Sequence, residues 1–136
     1  MESAIRDLVW QRARSCCEYC RLHQSHSPFR TFHIDHIRAR KHGGTDDPVN
    51  LALACDRCSF HKGYDLAGID DATGQVALLF NPRTQSWHEH FQFQGAKIVG
   101  LTPTGRATVR VCNMNSARRI RLRAALIATG EFPPTA

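Results

Sequence analysis

The sequence predicts an α+β fold built from short strands and a few helices. Three observations support this class. Apolar residues recur at helical spacing near both ends of the chain, short segments rich in β-formers lie between them, and no regular strand–helix alternation indicates a parallel sheet. The 136 residues allow one compact domain, and an apolar content of 42% is typical of a globular protein.

The first half of the chain predicts a helix, a strand, a loop and a second helix. Helical spacing covers residues 3–15, with Ser3 as the expected N-terminal cap. Residues 31–37 alternate in character and are rich in β-formers, which predicts a strand. Two glycines and a proline within residues 41–48 indicate a loop, and a helix is expected over about 56–63.

The second half predicts more strands and a closing helix. A turn at residues 70–74 is expected to precede a strand over 76–80. A second β pair is predicted at about 97–101 and 106–112, with a Pro-Thr-Gly turn between its strands. Residues 116–128 predict the last helix.

We expect two parts, a main domain over 1–95 and a C-terminal part over 96–136 that packs on it. The formal net charge of +6 favours a polyanionic partner, although weakly. Residues 101–136 hold six arginines and one acid, Glu131, an excess of +5. The last helix could therefore lie on phosphates, but an ordinary solvated helix packed on two sides is slightly favoured. No apolar run is long enough to cross a bilayer, so a cytoplasmic protein without membrane contact is expected.

Four of the six cysteines form two Cys-x-x-Cys pairs separated by 34 residues. Two intervening residues let both sulfurs of a pair reach one ion, and two pairs complete a closed tetrahedral site. This pattern predicts a structural zinc ion more strongly than disulfides or a redox centre. The predicted ligands are Cys17, Cys20, Cys55 and Cys58. Cys16 is an alternative to Cys17 with a less usual spacing, and Cys112 is expected to be a buried thiol.

A histidine and carboxylate set is threaded through the cysteine pairs: Asp35, His36, Asn50 and His61. On a strand, Asp35 and His36 point to opposite faces and can serve different tasks. Phosphodiester hydrolysis needs an activated water and a cation on the scissile phosphate. A neutral imidazole suits the water, whereas a carboxylate with an imidazole suits a divalent cation. Asn50 could orient the imidazole or offer an oxygen to the metal.

Together these motifs resemble the HNH endonuclease family, closely over about residues 9–66 and loosely over 9–95. As a set they are highly specific, although any one alone would be weak. The motifs are Cys17-Glu-Tyr-Cys20, His33-Ile-Asp35-His36-Ile37, Gly43-Gly44-Thr45, Asn50-Leu-Ala-Leu-Ala-Cys55 and Cys58-x-x-His61-Lys62-Gly63.

The resemblance implies a ββα-metal finger, in which two antiparallel strands and a helix surround one catalytic ion. By position, His36 is then the general base, Asp35 and His61 are ligands of a catalytic Mg²⁺ or other divalent cation, and Asn50 is the central residue of the signature. Whether Asn50 binds metal or orients His36 stays open. The family usually cuts DNA, and the four cysteines match its zinc-bearing branch.

Two other functions are weighed against the endonuclease. A zinc-stabilised nucleic-acid-binding module could use the same fold without cutting, and a zinc-stapled protein-interaction domain is weaker still. DNA contacts are expected mainly to phosphates, with Arg38, Arg40 and Lys41 beside the site. Many family members carry a proline soon after the Asp-His pair, which is absent here. His33 is expected at the surface or behind the ligands, and a homodimer is left open.

Overall fold

The computed structural model describes residues 1–134, which contain five α-helices and six β-strands. The helices are α1 (Ser3–Ala13), α2 (Asp56–Lys62), α3 (Trp87–His90), α4 (Pro103–Val111) and α5 (Ala117–Ala128). The strands are β1 (His33–His36), β2 (Leu51–Ala54), β3 (Ala67–Ile69), β4 (Val76–Leu78), β5 (Phe91–Gln94) and β6 (Lys97–Gly100). The strands form three separate antiparallel pairs, so the predicted α+β class is confirmed.

Helix α1 packs against the buried strand β2. Val9 and Ala13 are its buried residues, and the Arg12 guanidinium donates hydrogen bonds to the carbonyls of Pro48 and Leu51 at 2.7 and 2.5 Å. The expected cap is wrong: Ser3 is the first helical residue, and Glu2 at the N-cap makes no side-chain capping bond. Arg14 ends the helix in the left-handed conformation.

Strands β1 and β2 with helix α2 form the predicted ββα unit. The strands pair antiparallel, with Asp35 opposite Ala52 and His36 opposite Leu51. All four residues of β2 are buried, because it lies between β1 and α1 at the centre of the core. Helix α2 follows β2 directly, and the Cys55 sulfur accepts the hydrogen bond from the Cys58 amide that begins this helix.

The predicted β pair at 97–101 and 106–112 is wrong in its second half. Strand β6 pairs instead with β5 across a turn at Gly95, which has a φ of +57°. The Pro-Thr-Gly segment starts helix α4, since Thr102 accepts a hydrogen bond from the Gly105 amide and proline occupies the first turn. Helix α4 packs across β3, β4 and β6.

The C-terminal part shares the core of the first half. Helix α5 begins at the predicted place, where the Ser116 side chain caps it. Ile98, Cys112 and Met114 belong to the same apolar cluster as Val9 and the residues of β2. The boundary expected at residue 95 falls in the β5–β6 turn.

Among residues 1–134, no helix is both long enough and apolar enough to span a lipid bilayer.

Candidate active site and metal centre

The two Cys-x-x-Cys pairs meet at one point in the core. The sulfurs of Cys17, Cys20, Cys55 and Cys58 all lie within 4.8 Å of one another, and all four residues are buried. The Cys20 and Cys55 sulfurs are 3.7 Å apart, close to the edge of about 3.8 Å of a tetrahedron with Zn–S bonds of about 2.3 Å. The residues therefore fit a structural zinc ion with no open position.

Backbone and thiol hydrogen bonds connect the sulfurs of this cluster. In each pair, the amide of the second cysteine donates to the sulfur of the first, at 3.4 Å for both Cys20 and Cys58. Hydrogen bonds from the other three thiols, that of Cys17 foremost, hold the pKa of Cys20 well below its ordinary value. Burial raises the pKa of Cys17, and a hydrogen bond with Cys112 raises the pKa of Cys58. Cys16 lies outside the cluster, and its backbone forms an isolated antiparallel β-bridge with that of His23. This position agrees with Cys17 as the ligand.

A buried arginine from α5 completes the surroundings of the cysteines. The Arg119 guanidinium donates to the sulfurs of Cys58 at 3.0 Å and Cys55 at 3.6 Å. It also donates to the carbonyl of Cys112 at 2.7 Å. Burial acts to lower the pKa of Arg119, but the charges of the cysteines outweigh it and raise this pKa. Helix α5 is thus anchored to the cysteine cluster by the Arg119 side chain.

Asp35 and His36 occupy neighbouring positions on β1 and have different environments. Asp35 is only 8% exposed, and its Oδ2 accepts from the Tyr19 hydroxyl at 2.9 Å and lies 3.2 Å from the Lys62 Nζ. Burial raises the pKa of Asp35, and the Lys62 charge opposes this shift. Oδ1 accepts no hydrogen bond from residues 1–134, so one carboxylate oxygen is left for a ligand.

His36 is held by a carboxylate that sequence reasoning missed. Its Nε2 lies 2.8 Å from the Asp46 Oδ1, which also accepts a hydrogen bond from Arg40 at 2.6 Å. The bond with His36 holds the pKa of Asp46 below its ordinary value, so this side chain is an anion. An anionic acceptor on Nε2 places the proton of a neutral imidazole there. Nδ1 then carries the lone pair of the ring, and it makes no hydrogen bond with any of residues 1–134.

Asn50 fixes the loop that carries Asp46. Its amide donates to the carbonyls of Arg38 at 3.0 Å and Thr45 at 2.8 Å, and its Oδ1 accepts from the Arg38 amide at 2.8 Å. Within the part of the chain that is described, no hydrogen bond joins Asn50 to His36. Asn50 thus holds the backbone of the segment from which Asp46 extends.

His61 comes from the end of α2, one residue before Lys62. The Lys62 Nζ donates to the His36 carbonyl at 3.1 Å, so the end of α2 and the end of β1 lie side by side. The His61 imidazole packs edge-on against Phe60 and makes no hydrogen bond with any residue of the described range 1–134. It lines an open cavity of about 470 Å³ that also contains Lys41 and His42. His61 is free to accept a ligand there.

Four further predicted residues have peripheral positions. His33 is exposed and its Nε2 lies 3.2 Å from the Asp56 carboxylate. Arg38, Arg40 and Lys41 are exposed on the loop beside His36. The structure thus brings Asp35, His36 and the end of α2 together. The sequence did not predict the contacts of Tyr19, Lys62 and Asp46 in this site. For Asp46, the available signal was an aspartate in a short Gly-rich loop after the histidine.

Residues 17–65 match the family model of the HNH endonuclease family. These residues contain both cysteine pairs and the Asp35, His36, Asn50 and His61 set. No curated protein and no solved structure matches the chain. The geometry of the ββα unit and the four-cysteine cluster agree with this match and with the zinc-bearing branch of the family. The segment 17–65 is therefore similar to the HNH endonuclease family.

Proposed function

We propose that this protein is a metal-dependent endonuclease that hydrolyses phosphodiester bonds in DNA. The observation that carries the proposal is the pairing of His36 with the Asp46 carboxylate at 2.8 Å, which leaves Nδ1 as the basic atom of the imidazole. This arrangement lies inside the segment that matches a nuclease family. A protein that only binds nucleic acid has no need for an oriented imidazole.

In this mechanism His36 takes a proton from water at Nδ1 as the water attacks the phosphorus. The bond from the attacked phosphorus to the 3′ oxygen breaks as the new P–O bond forms. The imidazolium that results is stabilised by Asp46, which is already ionised and in contact with Nε2. Asp46 itself keeps no proton, because the hydrogen bond only orients the ring and offsets its charge.

Asp35 and His61 would hold the divalent cation, with Oδ1 of Asp35 and the unbonded imidazole of His61 as ligands. A carboxylate oxygen and an imidazole nitrogen suit Mg²⁺, Mn²⁺ or a similar ion. When bound, such an ion stabilises charge on the scissile phosphate and on the leaving oxygen. Lys62 adds a fixed positive charge beside Asp35 and holds the end of α2 against β1.

One observation favours a second function, a zinc-stabilised nucleic-acid-binding module without catalysis. The Lys62 ammonium and the Tyr19 hydroxyl already occupy one oxygen of Asp35. If these contacts replaced the cation, the same fold would bind DNA phosphates through Arg38, Arg40 and Lys41 without cutting.

Supercoiled plasmid distinguishes the two functions. Zinc-loaded protein is incubated with plasmid, with and without Mg²⁺ or Mn²⁺, beside His36→Ala. His88→Ala is a matched control, because His88 is exposed on α3 and does not line the cavity with His61. The endonuclease predicts metal-dependent nicking or linearisation that His36→Ala abolishes and His88→Ala retains. Gel shifts by all three proteins without cutting would establish the binding module instead.

A further inference from the structure

A groove beside the cysteine cluster is distinct from the site of His36. It has a volume of about 460 Å³ and is formed by residues 28–30, the start of α2 and one face of α5. This volume lies within the range of roughly 300–1,000 Å³ of small-ligand sites. No residue of the candidate catalytic set lines it.

The walls of the groove are positively charged. Arg30, Arg57 and Arg118 are exposed and come from its three different walls. Asp56 is the one acidic side chain among the lining residues that the structure describes, and it lies 3.8 Å from the Arg30 guanidinium. Within residues 1–134, neither Arg57 nor Arg118 contacts a carboxylate. The groove therefore offers at least two unneutralised guanidinium groups to an anion.

An exposed aromatic ring lies at the same groove. Phe29 is 98% exposed, the largest exposure among the large apolar side chains of the described chain. Leu22 and Leu122 supply an apolar surface next to it. Every base of a nucleic acid has a flat face that stacks on an aromatic ring, and a basic groove tracks the strand's phosphates.

We propose that this groove binds a single-stranded segment of nucleic acid, with a base stacked on Phe29 and phosphates on Arg57 and Arg118. The charge of the walls selects a polyanion, and the exposed ring selects one whose bases are unpaired. A duplex keeps its bases stacked on one another and would use the arginines without the ring. The role of this segment in cleavage, unlike its binding, depends on the proposed endonuclease function.

Strand β1 and helix α2 run from this groove to His36. At the groove end His33 lies 3.2 Å from Asp56, and at the other end the Lys62 Nζ contacts the His36 carbonyl at 3.1 Å. From Asp56 to Lys62 a helix advances about 9 Å. A strand held in the groove can thus lead directly to the imidazole.

Binding is measured by fluorescence anisotropy with labelled oligothymidylate and with a duplex of the same length. Zinc-loaded protein is used without added Mg²⁺, so that binding is separated from cutting. The variants are Phe29→Ala, Phe29→Tyr and Arg118→Ala. Arg121→Ala is the matched control, since Arg121 is an exposed arginine of α5 that does not line the groove.

Phe29→Ala is expected to weaken binding of oligothymidylate by about 10-fold and binding of the duplex far less. Phe29→Tyr should bind as the unchanged protein does, because its ring still stacks. Arg118→Ala should lower the slope of log K against log salt by about 0.7, the value for one phosphate of a single strand. Arg121→Ala should leave that slope unchanged.

Unchanged binding by both Phe29→Ala and Arg118→Ala would overturn the proposal. So would competition by polyglutamate as effective as that by oligothymidylate, because the groove would then fit an acidic protein. Plasmid cleavage is scored separately. If the protein cuts plasmid but the groove variants bind normally, the nuclease proposal stands and the groove proposal fails. If binding depends on the groove but plasmid is not cut, the groove proposal stands and the nuclease proposal fails.

Discussion

Arg119 donates a hydrogen bond to the sulfur of Cys58 at 3.0 Å, which joins the last helix to the metal centre. The same guanidinium donates to the Cys112 carbonyl at 2.7 Å, at the end of α4. Arg119 is therefore a connection between the C-terminal helices and the ββα unit. Its charge offsets that of the thiolates, which a closed four-cysteine zinc site leaves with a net negative charge.

Arg119→Ala is expected to destabilise the protein by about 3 kcal/mol, because it leaves buried acceptors without donors. We also expect zinc affinity to fall by about 10- to 100-fold, as when groups behind metal ligands are removed. Urea unfolding and zinc competition with a chromophoric chelator measure the two effects. Arg118→Ala is the control, since Arg118 is the preceding residue and is exposed. Equal zinc affinity of the two variants would contradict this role.

The ββα unit and the cysteine cluster could be predicted because their signals are local. Two residues between cysteines define each half of the cluster, and Cys55 both belongs to the cluster and caps the start of α2. The helix over 103–111 could not be distinguished from a turn in the same way. Proline and glycine mark both a turn and the first turn of a helix, and packing of Ala107 and Thr108 in the core decides between them.

The buried charges could not be predicted, since Arg, Lys and Asp are usually exposed. Arg119 and Arg123 are both buried because they donate to sulfur and to backbone carbonyls far away in sequence. The Asp46 contact depends on a loop that Asn50 closes through the backbone of Arg38 and Thr45. Such contacts follow from the fold and leave no periodic pattern in the chain.

In the loop beside His36, Gly44 lies directly against the backbone of Arg38. A Cβ atom at this position would overlap the carbonyl oxygen of Arg38 and lie 2.9 Å from the Asn50 Nδ2. Gly44→Ala must therefore displace the loop that carries Asp46, and we expect at least a 100-fold loss of plasmid cleavage. Circular dichroism and zinc content should show that the remaining fold is retained.

Gly43→Ala provides the comparison for Gly44→Ala. Gly43 has a φ of +85°, but no atom lies within 4 Å of a Cβ there. Alanine then costs about 1 kcal/mol of backbone strain without displacing Asn50. Cleavage within a few-fold of the unchanged protein is expected. If Gly44→Ala retained as much cleavage as Gly43→Ala, the loop geometry would not matter for the chemistry.

Asp70 predicts how stability responds to acid. Its carboxylate is fully buried and accepts hydrogen bonds from the Arg106 guanidinium at 2.7 and 3.1 Å. These bonds, that of Arg106 foremost, hold the pKa of Asp70 well below its ordinary value of 3.8. A lowered folded-state pKa means that the unfolded chain binds the proton more tightly. The contribution of Asp70 is thus present above pH 3.8 and lost as the pH falls below it.

The urea midpoint of the unchanged protein should be higher than that of Asp70→Asn, and this difference should shrink as the pH falls from about 5 to 3. Asp71→Asn is the control, because Asp71 is exposed and forms its ion pair with the exposed Arg110. Its midpoint should follow that of the unchanged protein at every pH. A constant difference for Asp70→Asn across this range would show that the pair is not the cause.

Asp46→Asn tests the orientation of His36. An asparagine can still accept a hydrogen bond from Nε2, but it has no charge to offset the imidazolium that forms as water is deprotonated. We expect kcat for plasmid nicking to fall by about 10- to 100-fold, with KM unchanged, since Asp46 is proposed to act through His36 and not on the substrate. Steady-state kinetics at saturating Mg²⁺ give both values.

Asp47→Asn is the matched control for Asp46→Asn. Asp47 is the next residue, and its side chain accepts a hydrogen bond from the Val49 amide without contacting His36. Asparagine caps such a turn as well as aspartate does, so both kcat and KM should be retained. If Asp46→Asn instead raised KM at constant kcat, Asp46 would be a substrate contact, and the geometry that orients the imidazole would come from elsewhere.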